Sequence, residues 1–202
     1  MDNIIINNNT HNPGYQVRRT FGDERLDKVK EILGEVIRKH KPDYKAWVRT
    51  STLHEDTKQS KDLILRLQKG DKTVELGVGV RSRKDTFILR DFTIRKDYFG
   101  SKNSERKKIK NASIYMYTWD NQDGTTDWIV VDLKKLERSG LIEKYANTQH
   151  TGNKDDGNHF FGIDVGVLKY NGCLIDYSTS LEPHMNKFDP AEEDDFFNNW
   201  DF

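Results

Sequence analysis

HEDTKQSKDLILRLQKGDKTVELGVGVRSRKDTFILRDFTIR, residues His54–Arg95, is the stretch whose reading decides the fold. Three consecutive strands in a meander are predicted across it. The first, Lys61 to Leu67, is a short apolar run with Asp62 at its mouth. Gly70 within Gln68–Lys72 supplies the positive φ that a tight hairpin turn needs. Along the second strand, Thr73 to Arg81, alternation places Val74, Leu76, Val78 and Val80 on one face and Glu75, Gly77, Gly79 and Arg81 on the other. Two glycines beside a Glu and an Arg either leave room for a substrate backbone or an ion, or mark a bulge or a crowded packing contact. The third strand is expected over Thr86 to Arg95, with Phe87, Leu89 and Ile94 among its apolar members.

Upstream, Asp23 to Lys39 reads as a helix. Leu26, Val29, Leu33 and Val36 recur at 3- and 4-residue spacings, Ile32 and Ile37 widen the stripe, and Pro42 ends it. Ala46–Val48 reads as a short extended piece. Downstream, Asn103 to Lys110 reads as a short basic helix, and Ser113 to Trp119 and Asp127 to Leu133 as two further strands. Leu133 to Ser139 is helical and stops at Gly140, a natural position for a left-handed residue just past a helix end. Asn147 to Asn158 is polar and reads as a loop. Phe160 to Val165 and Val167 to Ile175 read as edge strands, or as a strand and a turn. The domain division that follows is an N-terminal arm (1–20), one α/β domain (21–180) and a disordered acidic, aromatic tail (181–202).

With 202 residues the chain is long enough for one domain with a sizeable core. No run approaches the roughly 18 apolar residues needed to span a bilayer, and the first residues lack the pattern of a signal peptide, so a cytoplasmic protein without membrane contact is expected. A single cysteine, Cys173, excludes an intrachain disulfide and a Cys-based zinc cluster. The net charge of zero hides an asymmetry. From Asp189 onward there are six acids and no Lys or Arg, which leaves 33 basic against 27 acidic residues before it, a charge of +6. Between Arg81 and Lys110, eleven Lys or Arg face four acids. A block of that kind suits a polyanion, so DNA is the expected partner, with Arg90, Arg95, Arg106, Lys107, Lys108 and Lys110 as phosphate contacts.

Helix, three-strand meander, helix and strand is an order that resembles the restriction-endonuclease-like PD-(D/E)XK nuclease superfamily, whose core runs αβββαβ around a mixed central sheet. Phage-encoded proteins of that type are similar in Asp62 opening one strand, Val78-Gly79-Val80-Arg81 in the next and Phe92-Thr93-Ile94-Arg95 in the third. Glu105 with Lys108-Ile109, Tyr115–Trp119 and Trp128–Leu133 extend the similarity, which covers Asp23 to Ile175. The resemblance implies a DNA endonuclease in the cytoplasm of a bacterial host, using Mg2+ or Mn2+.

Phosphodiester hydrolysis of that kind needs carboxylates around hard divalent cations, to activate a water and stabilise the leaving oxygen. Carried over, the resemblance makes Asp62 the leading metal ligand. Gly79 stands where the second carboxylate belongs and Arg81 where the family has Lys. Glu75 on the same strand face and Asp56 are the proposed partners, with Glu55 and Glu24 as further donors. Arg81 is assigned to phosphate stabilisation, since a guanidinium does not readily give up a proton. A second class of function is carried by the tail. Phe196, Phe197, Trp200 and Phe202 among acids resemble the C-termini of single-strand DNA-binding proteins, which dock protein partners. On that reading the chain is a non-catalytic DNA-binding protein or a dead nuclease fold. Homodimerisation is left open.

Overall fold

A computed structural model describes residues 13–52, 54–55, 61–84, 91–95, 109, 111–148, 151–152 and 159–186. Helix α1 (Pro13–His40) carries Val29, Ile32, Leu33, Val36 and Ile37 on one buried stripe. It starts within the stretch read as an arm. Its last turn holds Arg38, Lys39 and His40, where the helix dipole favours cations. Lys39 Nζ and His40 Nε2 each lie 3.0 Å from Asp176 Oδ2, tying the helix end to the far side of the sheet. Burial would raise the Asp176 pKa, but the hydrogen bonds from Lys39, from its neighbour's amide and from His40 outweigh it and hold the carboxyl below its ordinary value.

Six strands form the central sheet: β1 (Lys45–Thr50), β2 (Leu63–Lys69), β3 (Lys72–Lys84), β5 (Ile114–Asp120), β6 (Thr126–Asp132) and β9 (Leu174–Tyr177), in the order β1-β2-β3-β5-β6-β9. Only β3 and β5 run parallel; the other neighbours are antiparallel. The sheet is therefore mixed, in an α/β protein. One of its faces packs on α1 through Leu63, Leu65, Val78, Ile114, Met116 and Val130. On the other face Tyr115, Tyr117, Trp119, Ile129 and Val131 meet a second core layer. Residues 114–119 are thus buried on both sides, as a central strand's near-continuous apolar run requires.

That second layer is a three-stranded sheet, ordered β4 (Asp91–Arg95), β8 (His159–Asp164) and β7 (Thr151–Gly152). Here the structure departs from the meander read at residues 61–95. The consecutive antiparallel trio is β1-β2-β3, and β4 leaves the central sheet to pair with β8. The reason lies in the side chains. β4 offers one apolar face, Phe92 and Ile94, which suits an outer layer, whereas β5 is apolar on both faces and takes the place beside β3.

Short helices close the second layer: α2 (Leu133–Arg138), α3 (Leu141–Thr148), α4 (Val165–Tyr170) and α5 (Glu182–Met185). Asp132 caps α2 by accepting from the amides of Lys134 and Lys135, and Gly140 takes φ 73° just beyond it. Residues 165–170, read as part of an edge strand, are helical. Asp164 caps that turn through the Gly166 amide at 2.6 Å, and Val165, Val167 and Leu168 are all buried, which overrides their β-propensity. Leu181 and Met185 are buried, so the packed structure continues past residue 180. Among the described residues no helix is long and apolar enough to cross a membrane.

Candidate functional site

Asp62 stands just before β2, at the point where β1, β2 and β3 meet. Its amide donates to the Val78 carbonyl at 3.0 Å, and its own carbonyl accepts from the Ser51 amide at 3.1 Å and the Ser51 hydroxyl at 2.9 Å. Its carboxylate Oδ2 accepts the Val80 amide at 2.7 Å. Leu63 is the register partner of Val78, and Asp62 just before it bonds Val78 and Val80, the two residues on either side of Gly79. This is the position at which the nuclease pattern would place a second carboxylate.

The two glycines of β3 are filled by neighbours. Gly79 is the register partner of Tyr115 on β5, and a Cβ at Gly79 would lie 2.8 Å from two carbons of the Tyr115 ring. A Cβ at Gly77 would lie 2.7 Å from the aliphatic stem of Lys61. Of the two readings of these glycines, crowded packing is the one the geometry carries. Arg81 and Arg83 turn toward the outer sheet. Arg81 donates to the Thr93 carbonyl at a long 3.5 Å, and Arg83 donates to Thr93 Oγ1 at 2.7 Å while its guanidinium lies over the Tyr117 ring.

Glu75 lies four residues along β3 from Gly79, opposite Arg66. At about 3.3 Å per residue that is about 13 Å of strand from Asp62, too far for both to hold one ion at the 2.0–2.6 Å of Mg2+ or Ca2+ ligands. Glu55 is engaged elsewhere. Both its oxygens accept from Arg49 at 2.8 Å, one also accepts the Thr52 amide at 2.7 Å, and the Thr52 hydroxyl accepts the Glu55 amide, a capping box spelled by Thr52 and Glu55. The Arg49 hydrogen bonds first, then that amide, hold the Glu55 carboxyl down to about 2. Among the described residues no three His, Cys, Asp or Glu side chains are grouped to hold a metal ion. The Mg2+ set expected of Asp62 with Glu75 is therefore not brought together. Asp56, Arg90, Arg106, Lys107, Lys108, Lys110, Phe196, Phe197, Trp200 and Phe202 lie outside the described residues. Arg95 is placed by its backbone at the end of β4, opposite Phe160.

One carboxylate pair escaped the sequence reading. Asp91 opens β4 directly across from Asp164, and Gly162 leaves it room: a Cβ there would come within 2.9 Å of Asp91 Oδ2. Burial first, then the Asp164 charge, push the Asp91 carboxyl up to about 6, against the pull of Arg83. Seventy-odd residues separate the partners, and only the β4–β8 register shows them adjacent. A carboxyl whose pKa is higher folded than unfolded loses stability as pH rises from its ordinary value of 3.8 to about 6. Asp91→Asn is expected to remove that loss, gaining about 3 kcal/mol over wild type at pH 7 and little at pH 4. Urea melts at the two pH values check it; an equal difference at both would contradict the linkage.

A second grouping lies on the face of the sheet away from α1, toward the β1 edge. Trp47, Arg49, Arg66, Gln68 and Glu75 line a cavity of about 300 Å³. Alternation along β1 was the available signal, since Ala46 and Val48 pack toward α1 and Trp47 and Arg49 must then face away. No protein-family model matches this sequence, and no curated protein is significantly similar to it.

Proposed function

We propose that this chain is a phage-type DNA-binding protein on a nuclease-like scaffold, which retains DNA without hydrolysing it at Asp62. One observation supports the loss of catalysis: Gly79 stands between Val78 and Val80, the two β3 residues that Asp62 bonds, and the Tyr115 ring occupies the space a side chain there would need. The scaffold is supported by connectivity. A helix leads into three antiparallel strands, and a crossover that includes β4 then brings β5 parallel to β3, as the later strand of an αβββαβ core would require. DNA binding is supported by charge, because that crossover and the end of β3 hold the basic block between Arg81 and Lys110. On the same reading the acidic segment from Asp189 to Phe202 recruits a protein partner.

The test is fluorescence anisotropy with labelled duplex and single-stranded DNA at increasing salt. About four phosphate contacts predict a loss of affinity of about 100-fold between roughly 50 and 200 mM monovalent salt. No binding at low salt, or binding indifferent to salt, would overturn the proposal.

A further inference from the structure

We infer that the outward face of β1, β2 and β3 is a seat for single-stranded nucleic acid, in which an amino-bearing base stacks on Trp47. This rests on the DNA-binding reading and adds a place, a strand form and a base class to it.

Trp47 is 48% exposed, although a tryptophan this size is usually well covered. It sits in one cross-strand row with Arg66 and Glu75, since Trp47 pairs with Arg66 and Arg66 with Glu75. Lys45 pairs with Gln68 in the next row, and Arg49 flanks Trp47 on the other side, its guanidinium fixed by Glu55. α1 covers the opposite face of these strands, and the second core layer rests on β5 and β6. An aromatic plane is thus presented to solvent beside three cations.

The chemistry of the lining selects the occupant. A base stacks on an indole whatever its identity, and Arg66 and Lys45 suit the phosphates on either side of it. A carboxylate repels phosphate, so Glu75 argues against a purely polyanionic ligand. It accepts hydrogen bonds from exocyclic amino groups, which cytosine, adenine and guanine carry and thymine lacks, and Gln68 offers a donor and an acceptor beside it. A paired duplex keeps its bases stacked and its amino groups engaged, so an unpaired strand fits this cavity and a duplex does not.

The test uses the full-length protein with labelled oligo-deoxycytidine, oligo-thymidine and oligo-cytidine of about 12 nucleotides, within the usual site size, and a duplex of mixed sequence. Wild type is expected to bind deoxycytidine more tightly than thymidine, with quenching of tryptophan emission. Trp47→Ala should weaken single-strand binding about 5- to 100-fold and leave duplex affinity unchanged, while Trp47→Phe keeps most of it. Glu75→Gln should shrink the cytidine preference. The ribo-oligomer tells DNA from RNA: oligo-deoxycytidine is expected to bind at least as tightly as oligo-cytidine, and a clear preference for oligo-cytidine would overturn the seat as a DNA site. Trp47 is exposed, so the variants fold, as thermal melts verify. Single-strand affinity unchanged in both Trp47→Ala and Arg66→Ala overturns this inference alone. A wild type that binds neither duplex nor single strand overturns it together with the DNA-binding reading.

Discussion

Gly79→Glu is expected to lose about 3 kcal/mol or more of stability and to bring no cleavage, although it puts a carboxylate between the two β3 residues that Asp62 bonds. A Cβ at residue 79 already meets the Tyr115 ring at 2.8 Å, and the ring itself is wedged against Phe92 with centroids 5.3 Å apart and planes at 85°. The ring has nowhere to go without moving β4. Overpacking of this kind costs about 1–3 kcal/mol, and a carboxylate placed in the seam between two apolar layers adds a desolvation cost. Urea denaturation of the variant and of Gly79→Ala checks it. The alanine should show the steric part alone. A Gly79→Glu protein as stable as wild type, or one that cuts DNA with Mg2+, would show that the Tyr115 side of β3 is open after all.

Phe92→Ala is expected to lose about 3–5 kcal/mol, the range for truncating a fully buried aromatic. Phe92 is 1% exposed and stands edge-on to both Tyr115 and Tyr117, while Tyr117 in turn lies 4.6 Å from Trp119. This aromatic row is the seam between the central sheet and the β4-β8-β7 layer. Thr93, the next residue, joins the same seam through its hydroxyl, 3.0 Å from Tyr117 Oη. The variant should therefore lose amide protection first at residues 91–95 and 159–164, ahead of β2, β5 and β6, when followed by hydrogen exchange. A loss under about 1 kcal/mol, or uniform exchange across both sheets, would contradict the role given to this seam.

Periodicity made part of this fold legible. The stripe Val29, Leu33 and Val36 marked α1, Gly70 at φ 58° marked the β2–β3 hairpin, and the strands at 114–120 and 126–132 followed from their apolar runs. Alternation also assigned Glu75, Gly77, Gly79 and Arg81 to one face. It could not assign rows. Glu75 and Gly79 share a face but sit four residues apart, and only the β2–β3 pairing shows that Glu75 faces Arg66 while Asp62 bonds Val78 and Val80 on either side of Gly79. The destination of β4 was hidden for a similar reason, because its partner β8 lies more than sixty residues away in sequence. Residues 141–148 form a helix on Leu141, Ile142 and Tyr145, a one-turn pattern too short to stand out beside the polar run that follows.

The same limit explains the glycines. A strand face reading Glu, Gly, Gly, Arg is compatible with an open approach for a ligand. Whether it is open depends on what the neighbouring strand supplies, and here β5 supplies Tyr115 and the residue preceding Asp62 supplies the Lys61 stem. Trp47 is the converse case. Its outward position was available in the alternation with Ala46 and Val48 but went unread, and its companions Arg66 and Glu75 came only with the register.

Retention and cleavage read on the same gels test the central claim most directly. The full chain is incubated with labelled duplex, branched and single-stranded DNA in Mg2+, Mn2+ or EDTA, beside Asp62→Ala. The DNA is expected to be retained and intact in every lane, with Asp62→Ala retaining it as wild type does. Metal-dependent cutting by wild type that disappears in Asp62→Ala would contradict the account and return Asp62 to the centre of a working nuclease.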